Sequence, residues 1–343
     1  MAEAAAMRRM FVTRHGQPLA FTALGFGGAP LGSARLDEAQ AQATVEAAWD
    51  AGLRYFDTAP LYGLGLSEIR IGRMLTGKAR AEFLISTKVG RRLDAVSGGA
   101  AAQVRFDYSR DGVLGSVQAS LERLGLERVD ILYVHDVEPR THGSIGAYEA
   151  KWAELTRAGG WKALDELRAC GAVGAIGLGV NEAAPCERML AELDPDLFLL
   201  AGRYTLLEQG PLHGLMAACA RAGVGVVVGG PYNSGVLARP EGTFDYAAAP
   251  AEVLARVQRL AAVCTGFGVD LRAAALQVAG AHPAVASVIP GGQTPEEAAA
   301  NVALMGAPIP EALWLALRDE GLLDRDAPTP GAPGSHARAA AAC

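Results

Sequence analysis

Eight short apolar runs recur along the chain and alternate with longer segments of helical periodicity. The runs are almost continuously apolar, which is typical of strands that are buried on both faces. We predict strands at 22–27, 53–57, 83–88, 129–134, 173–179, 197–201, 224–229 and 285–289. Parallel strands joined by right-handed helical crossovers close into a (β/α)8 TIM barrel. A doubly wound open sheet is the alternative, but GFGGAPLG at 25–32 lacks the GxGxxG fingerprint that such a sheet normally carries.

Amphipathic segments lie between the predicted strands. The segment 37–52 opens on an acidic residue and closes at Gly52, which are start and stop signals of a helix. In the segment 112–125, Val113, Val117 and Leu121 share one helical face. We predict further helices at 67–75, 150–170, 184–193, 211–222, 251–265, 270–280 and 295–304.

The predicted barrel accounts for residues 1–325 as one domain, because barrels of this kind reach this length. Within 11–21, a turn signal between two apolar runs predicts a hairpin that caps the bottom of the barrel. From Asp326 to Cys343 the chain is rich in Pro, Gly and Ala, which predicts a disordered tail. Three long polar stretches follow strands and are expected to extend the C-terminal face, where barrel enzymes build their active sites: 89–110, 136–149 and 231–250.

Charge and composition narrow the class of partner. The net charge is −6 and the charges are well mixed, so we expect no nucleic acid as a partner. No stretch approaches the roughly 18 uninterrupted apolar residues of a membrane span, so no membrane partner is expected. The five cysteines are dispersed without CxxC spacing, which favours a cytoplasmic location. No HExxH or HxxxH spacing occurs, so no metal site is expected, and the sequence leaves the oligomeric state open.

Four polar residues lie at the ends of neighbouring predicted strands. Asp57 ends the second strand and Tyr62 follows five residues later, while Lys88 and His135 end the third and fourth strands. Because the carboxyl ends of barrel strands meet at one rim, we expect these side chains to lie close together. Each residue taken singly has an ordinary structural role, as a cap, a loop anchor, a rim charge or a half-buried ring. Their coincidence at one rim favours a catalytic site.

This set of side chains suits proton transfer at a carbonyl or an alcohol. A free tyrosine is a poor base at neutral pH, because its pKa is about 10. An ammonium group beside it stabilises the phenolate and lowers that pKa, and a carboxylate holds the lysine in place. The histidine can donate a hydrogen bond to the substrate oxygen. Such a site moves a proton while a hydride moves on the other face of the substrate.

These motifs resemble those of the aldo-keto reductases. The likeness is carried by FDTAPLYGLGLSE at 56–68, by STK at 86–88 and by VDILYVHD at 129–136, within a similarity that covers about residues 10–320. The resemblance implies an oxidoreductase that binds a nicotinamide cofactor across the barrel mouth, without a Rossmann fold. It also implies roles: Tyr62 as the general acid or base, Asp57 and Lys88 as residues that tune it, and His135 as the residue that positions the carbonyl.

Within that family, three segments are similar to the bacterial aldose 1-dehydrogenases: 107–136, 176–182 and 201–209. This branch includes enzymes that act on L-fucose and on D-threo-aldoses, with relatives that act on pyridoxal and on L-galactose. The likeness implies oxidation of the anomeric carbon to a lactone, in which Tyr62 takes the proton of the anomeric hydroxyl while the carbon gives up hydride.

The resemblance also implies which residues hold the cofactor. Asn181 is expected to bind the nicotinamide carboxamide and Tyr204 to stack on the ring, although Gly179 stands near a position where the family has serine and Ala201 where it often has glutamine. The pyrophosphate and adenosine are expected to lie against Gly230, Pro231, Ser234, Leu237, Pro290, Gly291, Gly292, Gln293, Glu297 and Asn301.

The segment 289–301 predicts a preference for NAD over NADP. Many family members carry a lysine and an arginine here that bind the 2′-phosphate of NADP, whereas this chain has Gly291 and Glu297 at those positions. A carboxylate near a phosphate costs on the order of 1 kcal/mol through like-charge repulsion. It can instead accept hydrogen bonds from ribose hydroxyls. The other interpretation of Glu297 is an acid at a helix start, favoured by the helix dipole.

Three functions are compatible with these residues. The first is NAD-dependent oxidation of an aldose, or of a related hemiacetal such as pyridoxal, as a small-molecule substrate. The alternative is an NADPH-dependent reductase of aldehydes or ketones, against which Gly291 and Glu297 argue. The second alternative is a non-catalytic regulatory protein on the same scaffold, against which the complete set of four residues argues.

Overall fold

The computed structural model describes residues 2–94, 102–239 and 242–331. Strands in this part of the chain carry the labels β1 to β12 in chain order. They are β1 (Arg8–Val12), β2 (Pro18–Thr22), β3 (Phe26–Gly27), β4 (Tyr55–Asp57), β5 (Leu84–Val89), β6 (Arg91–Asp94), β7 (Gln103–Phe106), β8 (Ile131–His135), β9 (Ala175–Val180), β10 (Leu197–Ala201), β11 (Gly225–Gly229) and β12 (Val285–Ile289).

Eight of these strands form one parallel sheet that closes on itself. Its order is β3, β4, β5, β8, β9, β10, β11 and β12. The first and last strands meet where Gly25 N donates to Val288 O at 2.8 Å and Val288 N donates to Ala23 O at 3.0 Å. This closure confirms the (β/α)8 barrel and excludes the open sheet. Each of the eight predicted strand positions overlaps an observed strand.

An N-terminal hairpin covers one end of the barrel, as the sequence predicted. Its strands β1 and β2 pair antiparallel, with Arg8 opposite Thr22. Leu19 and Phe21 of β2 are buried and pack against side chains from inside the barrel, among them Tyr55. The hairpin therefore closes the end of the barrel that lies opposite the strand carboxyl ends.

Helices surround the barrel. They are α1 (Ala2–Ala6), α2 (Glu38–Asp50), α3 (Leu66–Leu75), α4 (Arg110–Leu124), α5 (Pro139–His142), α6 (Ile145–Arg157), α7 (Gly160–Ala169), α8 (Ala183–Glu192), α9 (Ala217–Ala222), α10 (Ala251–Gly266), α11 (Leu271–Ala279), α12 (Pro295–Met305) and α13 (Glu311–Asp319). A short π-helical turn, Leu212–Met216, precedes α9. Within the described residues, no helix is long and apolar enough to span a membrane.

The structure differs from the helix predictions at 150–170 and after residue 310. The single helix predicted over 150–170 is two helices, α6 and α7, because the chain turns at Gly159, whose φ is +82°. Gly160 then packs on the Tyr108 carbonyl so closely that a side chain there would collide with it. Helix α13 was not predicted, although it buries Leu313, Trp314 and Leu317 on one face.

The stretches that follow strands at the C-terminal face are more ordered than a sequence of Gly, Pro and polar residues indicates. The stretch 89–110 holds an antiparallel hairpin of β6 and β7, in which Arg91 lies opposite Phe106, and its residues 95–101 lie outside the described residues. The stretch 136–149 holds α5 and the first turn of α6. The stretch 231–250 consists of turns, and its residues 240–241 lie outside the described residues.

The start of the predicted disordered tail packs on the domain. Ala327 and Thr329 are buried, and Arg318 Nη2 donates to Ala327 O at 2.8 Å. The remainder of that tail, 332–343, lies outside the described residues. Ala327 and Thr329 are thus held against the domain, because a segment poor in large apolar residues can still be held by hydrogen bonds to its backbone.

Candidate active site

The four residues predicted as catalytic lie together at the carboxyl ends of three neighbouring strands. Asp57 ends β4, Lys88 lies near the end of β5 and His135 ends β8, and all three are at most 5% exposed. Tyr62 follows β4 on the next loop. Parallel pairing from β4 through β5 to β8 brings together residues that are up to 78 positions apart in the chain.

A buried ion pair forms the base of the site. Lys88 Nζ donates to Asp57 Oδ2 at 2.7 Å and to Thr58 O at 2.9 Å, while Asp57 Oδ1 accepts from Ser86 Oγ at 2.7 Å. Burial lowers the pKa of Lys88, but Asp57 and Tyr62 raise it by more, so the pKa lies above its usual value. Lys88 is therefore an ammonium ion at neutral pH, and its carboxylate partner compensates its charge.

Tyr62 lies between this ammonium group and His135. Lys88 Nζ is 4.7 Å from the centre of the Tyr62 ring, and the Tyr62 and His135 rings meet edge to face with centroids 5.9 Å apart. Burial raises the pKa of Tyr62 to about 12, although Lys88 acts to lower it. The expectation of a lowered pKa is thus corrected, because withdrawal of the phenol from water outweighs the nearby positive charge.

The loop that carries Tyr62 is held by close backbone contact. Gly63 and Gly65 have φ values of +65° and +93°, in the region that favours glycine. A methyl group on Gly32 would lie 2.5 Å from Gly63 N and 2.5 Å from Tyr62 C. The absence of a side chain at Gly32 therefore allows the Tyr62 loop to pack directly on the turn that follows β3.

His135 is a neutral imidazole in this setting. Burial lowers its pKa well below the usual value, and the charges of Lys88 and Arg91 act in the same direction. Its Nδ1 is buried and has no hydrogen-bond partner among the described residues. Its Nε2 lies 3.4 Å from Asp136 Oδ2. A neutral imidazole can donate a hydrogen bond to an oxygen through its protonated ring nitrogen, without carrying a positive charge.

Asn181, predicted to hold the nicotinamide, is oriented by two carboxylates that the sequence analysis missed. Its Nδ2 donates to Glu138 Oε1 at 2.9 Å and to Asp136 Oδ1 at 3.2 Å, and its backbone N donates to Glu138 Oε2 at 2.6 Å. Its Oδ1 accepts from Tyr246 Oη at 3.2 Å. The amide nitrogen is thus occupied, and the amide oxygen faces the cleft side, where Tyr246 reaches it.

Tyr246 comes from the stretch 231–250, which crosses the barrel mouth. Asp245 anchors it by accepting from Arg203 Nη1 and Nη2, both at 2.8 Å, and from Arg140 Nη1 at 2.7 Å. Asp245 and Tyr246 have φ values of +50° and +64°. The sequence indicated this stretch as part of the site, but no pattern within it identified these two residues.

Two other predicted cofactor residues are less accessible than their proposed roles require. Tyr204 is 3% exposed and packs edge to face on His282 at 5.6 Å between centroids, which speaks against an open ring face for stacking. Leu237 is 2% exposed and belongs to the core. Gly230 and Ser234 lie in the turn after β11 with φ values of +55° and +58°, and Pro231 between them is buried.

The segment after β12 lies at the same face, as predicted. Glu297 is exposed at the start of α12, where its Oε2 accepts from Gln293 N at 2.8 Å and its backbone N donates to Thr294 Oγ1 at 3.2 Å. This is a capping arrangement, so Glu297 has a structural role whatever else it does. Asn301 Oδ1 accepts from Tyr232 Oη at 2.7 Å.

Gly291 of this segment cannot take a side chain in place. A methyl group there would lie 2.5 Å from Pro30 Cγ. Pro290 and Gly292, on either side, are buried. The absence of a lysine at this position thus follows from the packing of Pro30 on the barrel rim.

Comparison with known proteins agrees with this arrangement. The model of the aldo/keto reductase family matches residues 23–318. Among similar proteins, pyridoxal 4-dehydrogenase of Microbacterium luteolum is 43% identical over 329 residues, covering 89% of this chain and 95% of the relative. D-threo-aldose 1-dehydrogenase of a Pseudomonas species is 40% identical over 332 residues, covering 91% and 96%.

A solved structure supports the same relationship. An aldo-keto reductase from Bacillus halodurans, in its holo form, matches with a TM-score of 0.72 and 26% identity, covering 91% of this chain and 95% of that one. The family match, the identity with two dehydrogenases and the shared barrel all indicate the same family. The chain therefore belongs to the aldo/keto reductase family of NAD(P)-dependent oxidoreductases.

Proposed function

We propose that this protein oxidises the anomeric carbon of an aldose, or of a related hemiacetal such as that of pyridoxal, to a lactone, with Tyr62 as the general base and NAD preferred over NADP. The observation that carries the proposal is the position of Tyr62, between the ammonium group of Lys88 and the neutral ring of His135. The two dehydrogenases that are 43% and 40% identical to this chain support the class of substrate.

The side chains divide the proposed reaction between them. His135 donates a hydrogen bond that holds the anomeric oxygen, and Tyr62 removes the proton from that oxygen. Lys88 stabilises the phenolate, and Asp57 keeps Lys88 in place. The nicotinamide ring, when bound, supplies the hydride acceptor. Loss of the proton from the anomeric oxygen and of a hydride from the anomeric carbon leaves a carbon–oxygen double bond, which is the lactone carbonyl.

The residues at the rim fit a nicotinamide dinucleotide. Because both carboxylates already accept from the Asn181 amide nitrogen, its oxygen is presented as an acceptor, which suits the amide N–H of a carboxamide. The turn after β11, in which Gly230, Asn233, Ser234 and Gly235 have positive φ, suits a close approach of the backbone to a pyrophosphate. We expect the cofactor to be held by Asn181, Gly230, Pro231, Ser234, Pro290, Gly291, Gly292, Gln293, Glu297 and Asn301.

The preference for NAD rests on charge at the adenosine end. Glu297 is exposed and Gly291 has no room for a basic side chain. Arg272, whose charge acts to lower the pKa of Tyr232, is itself paired with Asp270 at 2.6 Å. A 2′-phosphate would therefore meet an uncompensated carboxylate.

One observation favours a second function, the reduction of an aldehyde. With a pKa of about 12, Tyr62 is almost fully protonated at neutral pH, which suits a proton donor better than a base. The same residues would then work in the reverse direction, with the proton moving from Tyr62 to the carbonyl oxygen.

Initial rates separate these functions. We would measure formation of NADH and NADPH with L-fucose, D-arabinose, L-galactose and pyridoxal, together with the Tyr62→Phe variant. We expect NAD-dependent turnover that the variant loses. Faster oxidation of NADPH by simple aldehydes would favour the reductase. Cofactor binding without turnover in either direction would favour a regulatory role.

A further inference from the structure

The proposed reaction gives no role toward the substrate to a carboxylate that lies beside the reacting groups. Asp136 follows His135 directly and is 7% exposed. Its backbone φ is +52°, a left-handed conformation that costs a non-glycine residue about 1 kcal/mol or more. Residues held in such conformations cluster at functional sites.

The two oxygens of Asp136 contact different side chains of the site. Oδ1 accepts from Asn181 Nδ2 at 3.2 Å, which ties it to the expected nicotinamide position. Oδ2 contacts Arg91 Nη2 at 2.5 Å and lies 3.4 Å from His135 Nε2. The carboxylate thus lies between the expected cofactor position and the imidazole that is proposed to donate a hydrogen bond to the reacting oxygen.

Arg91 is brought to this point by the hairpin of β6 and β7. Its guanidinium lies 4.8 Å from the centre of the Phe106 ring, on the opposite strand of that hairpin. Its Nε is buried and has no hydrogen-bond partner among the described residues, and the same holds for His135 Nδ1. A buried donor left unsatisfied costs about 1–3 kcal/mol, so an oxygen-bearing ligand at Arg91 would be favoured.

We propose that Asp136, with Arg91, recognises the hydroxyl group on the carbon next to the reacting carbon. The inference rests on the proposed function, because it requires that His135 Nε2 donates a hydrogen bond to the anomeric oxygen. Oxygens on neighbouring carbons are close enough for one to reach His135 Nε2 while the other reaches Asp136 Oδ2. The site is thereby specific for sugars with a 2-hydroxyl group.

The charge state of Asp136 suits this role. Burial raises its pKa to about 6, against the effect of Arg91, so the group is mostly ionised at neutral pH. An ionised carboxylate only accepts hydrogen bonds, so it requires a donor such as a hydroxyl. A substrate without that hydroxyl leaves a buried carboxylate incompletely satisfied. In pyridoxal the nearest hydroxyl is one carbon farther from the reacting carbon, so the inference favours aldoses.

The test compares D-arabinose with the 2-deoxypentose that shares its other stereocentres. In the wild-type enzyme we expect kcat/KM to be at least about 100-fold higher for D-arabinose, because a site built to bind a hydroxyl rejects the analogue that lacks it. In Asp136→Asn and Asp136→Ala, kcat/KM falls further for D-arabinose than for the deoxy sugar, so the ratio approaches one.

Asp94→Asn, which alters a carboxylate of the same hairpin, is the matched control and should keep the wild-type ratio. Dissociation of NAD, followed by fluorescence, tests whether Asp136 acts only through Asn181. If Asp136→Asn weakens NAD binding and slows both sugars by the same factor, the inference is wrong and the proposed function stands. If the wild-type enzyme oxidises pyridoxal but neither pentose, the inference is also wrong. If it oxidises nothing, the proposed function itself fails.

Discussion

Lys88 is the residue on which the chemistry of this site depends most. Its ammonium group is 1% exposed, and it faces the carboxylate of Asp57, the carbonyl of Thr58 and the ring of Tyr62. Breaking a buried ion pair by removing one partner is far more costly than replacing both partners, because one charge is left uncompensated. Lys88 and Asp57 should therefore behave as a unit.

We predict that Lys88→Met destabilises the protein by about 3–5 kcal/mol, because Asp57 is left buried and unpaired. The double variant Asp57→Asn, Lys88→Met should recover most of that stability and still show at least about 100-fold lower kcat. Urea unfolding and initial rates measure the two effects. A single variant as stable as the wild type would contradict this view of the ion pair.

The pKa of Tyr62 predicts the pH dependence of each direction. The group is protonated below a pKa of about 12, so the phenolate needed for oxidation becomes more abundant as the pH rises. Because the phenolate fraction then rises about tenfold per pH unit, we expect kcat for sugar oxidation to increase by up to about 100-fold between about pH 7 and pH 9, and kcat for reduction to stay nearly level. Oxidation that slows as the pH rises over this interval would rule out Tyr62 as the base.

Glu297 offers a test of cofactor choice. Glu297→Arg should raise the ratio of kcat/KM for NADP to that for NAD by about tenfold or more, since it replaces repulsion of the 2′-phosphate by attraction. Glu296→Arg, one residue earlier and also exposed, is the matched control. Glu297→Gln keeps the side-chain oxygen that caps α12 and separates loss of charge from loss of the cap. An unchanged ratio in Glu297→Arg would leave Glu297 with its capping role alone.

Strand-end positions explain why the sequence predicted four residues of this site and missed others. Asp57 and His135 end strands and Lys88 lies one residue before a strand end, and the barrel dictates where strand ends meet. Arg91 and Tyr246 were missed because they reach the site through a hairpin and a turn whose conformations depend on tertiary contacts. The pKa of Tyr62 was predicted in the wrong direction because depth of burial cannot be read from strand ends.

Among the elements, the turn after β3 does the most to position Tyr62. Gly32 in that turn touches the backbone of Tyr62 and Gly63, so two successive βα loops share one contact. Gly32 ends a short 3-10 helix, Ala29–Gly32, whereas the Tyr62 loop consists of turns. The position of the phenol therefore depends on the absence of a single methyl group.

We predict that Gly32→Ala lowers kcat by about 10- to 100-fold, because displacement of a catalytic group by about 1 Å has effects of this size. Gly146→Ala is the control, since that glycine lies in α6 with open space around it and the change should leave kcat unaltered. Initial rates under saturating substrate, with melting temperatures for both variants, measure the effect. Normal kcat in Gly32→Ala would mean that the Tyr62 loop adapts freely.

Predictions of helices and strands succeeded where burial follows a simple pattern along the chain. The barrel strands are buried on both faces, so their continuous apolar runs were recognisable. The hairpin of β6 and β7 was missed because its residues are at most partly buried and form no continuous apolar run. The break between α6 and α7 was missed because it depends on contact of Gly160 with Tyr108 across the fold.

Across the whole molecule, the two ends of the barrel carry different polar groups. The end covered by the hairpin has a cavity lined by Arg80 and Arg168, which pair with Asp130 at 2.7 Å and with Asp196 at 2.9 Å. The opposite end carries Asp57, Lys88 and His135, which are at most 5% exposed and lie at or near the carboxyl ends of strands. Because barrel enzymes build their active sites at the carboxyl ends of the strands, we expect the chemistry at that end.

Buried side chains from Ala5 to Ala327 form one continuous cluster, and Leu19 and Phe21 of the hairpin belong to a second cluster that they share with side chains from inside the barrel. We therefore propose that residues 1–325 form one domain, as the length and pattern of the chain indicated. No boundary within the described residues separates the four catalytic positions from the expected cofactor positions.

Product analysis tests the central claim most directly. D-arabinose and NAD would be incubated with the wild-type protein and with Tyr62→Phe, and the sugar followed by NMR alongside NADH absorbance. The account predicts a lactone formed in equal amount to NADH, at a rate that falls by about 100-fold or more in the variant. Equal rates for the two proteins, or NADH formed without a lactone, would contradict it.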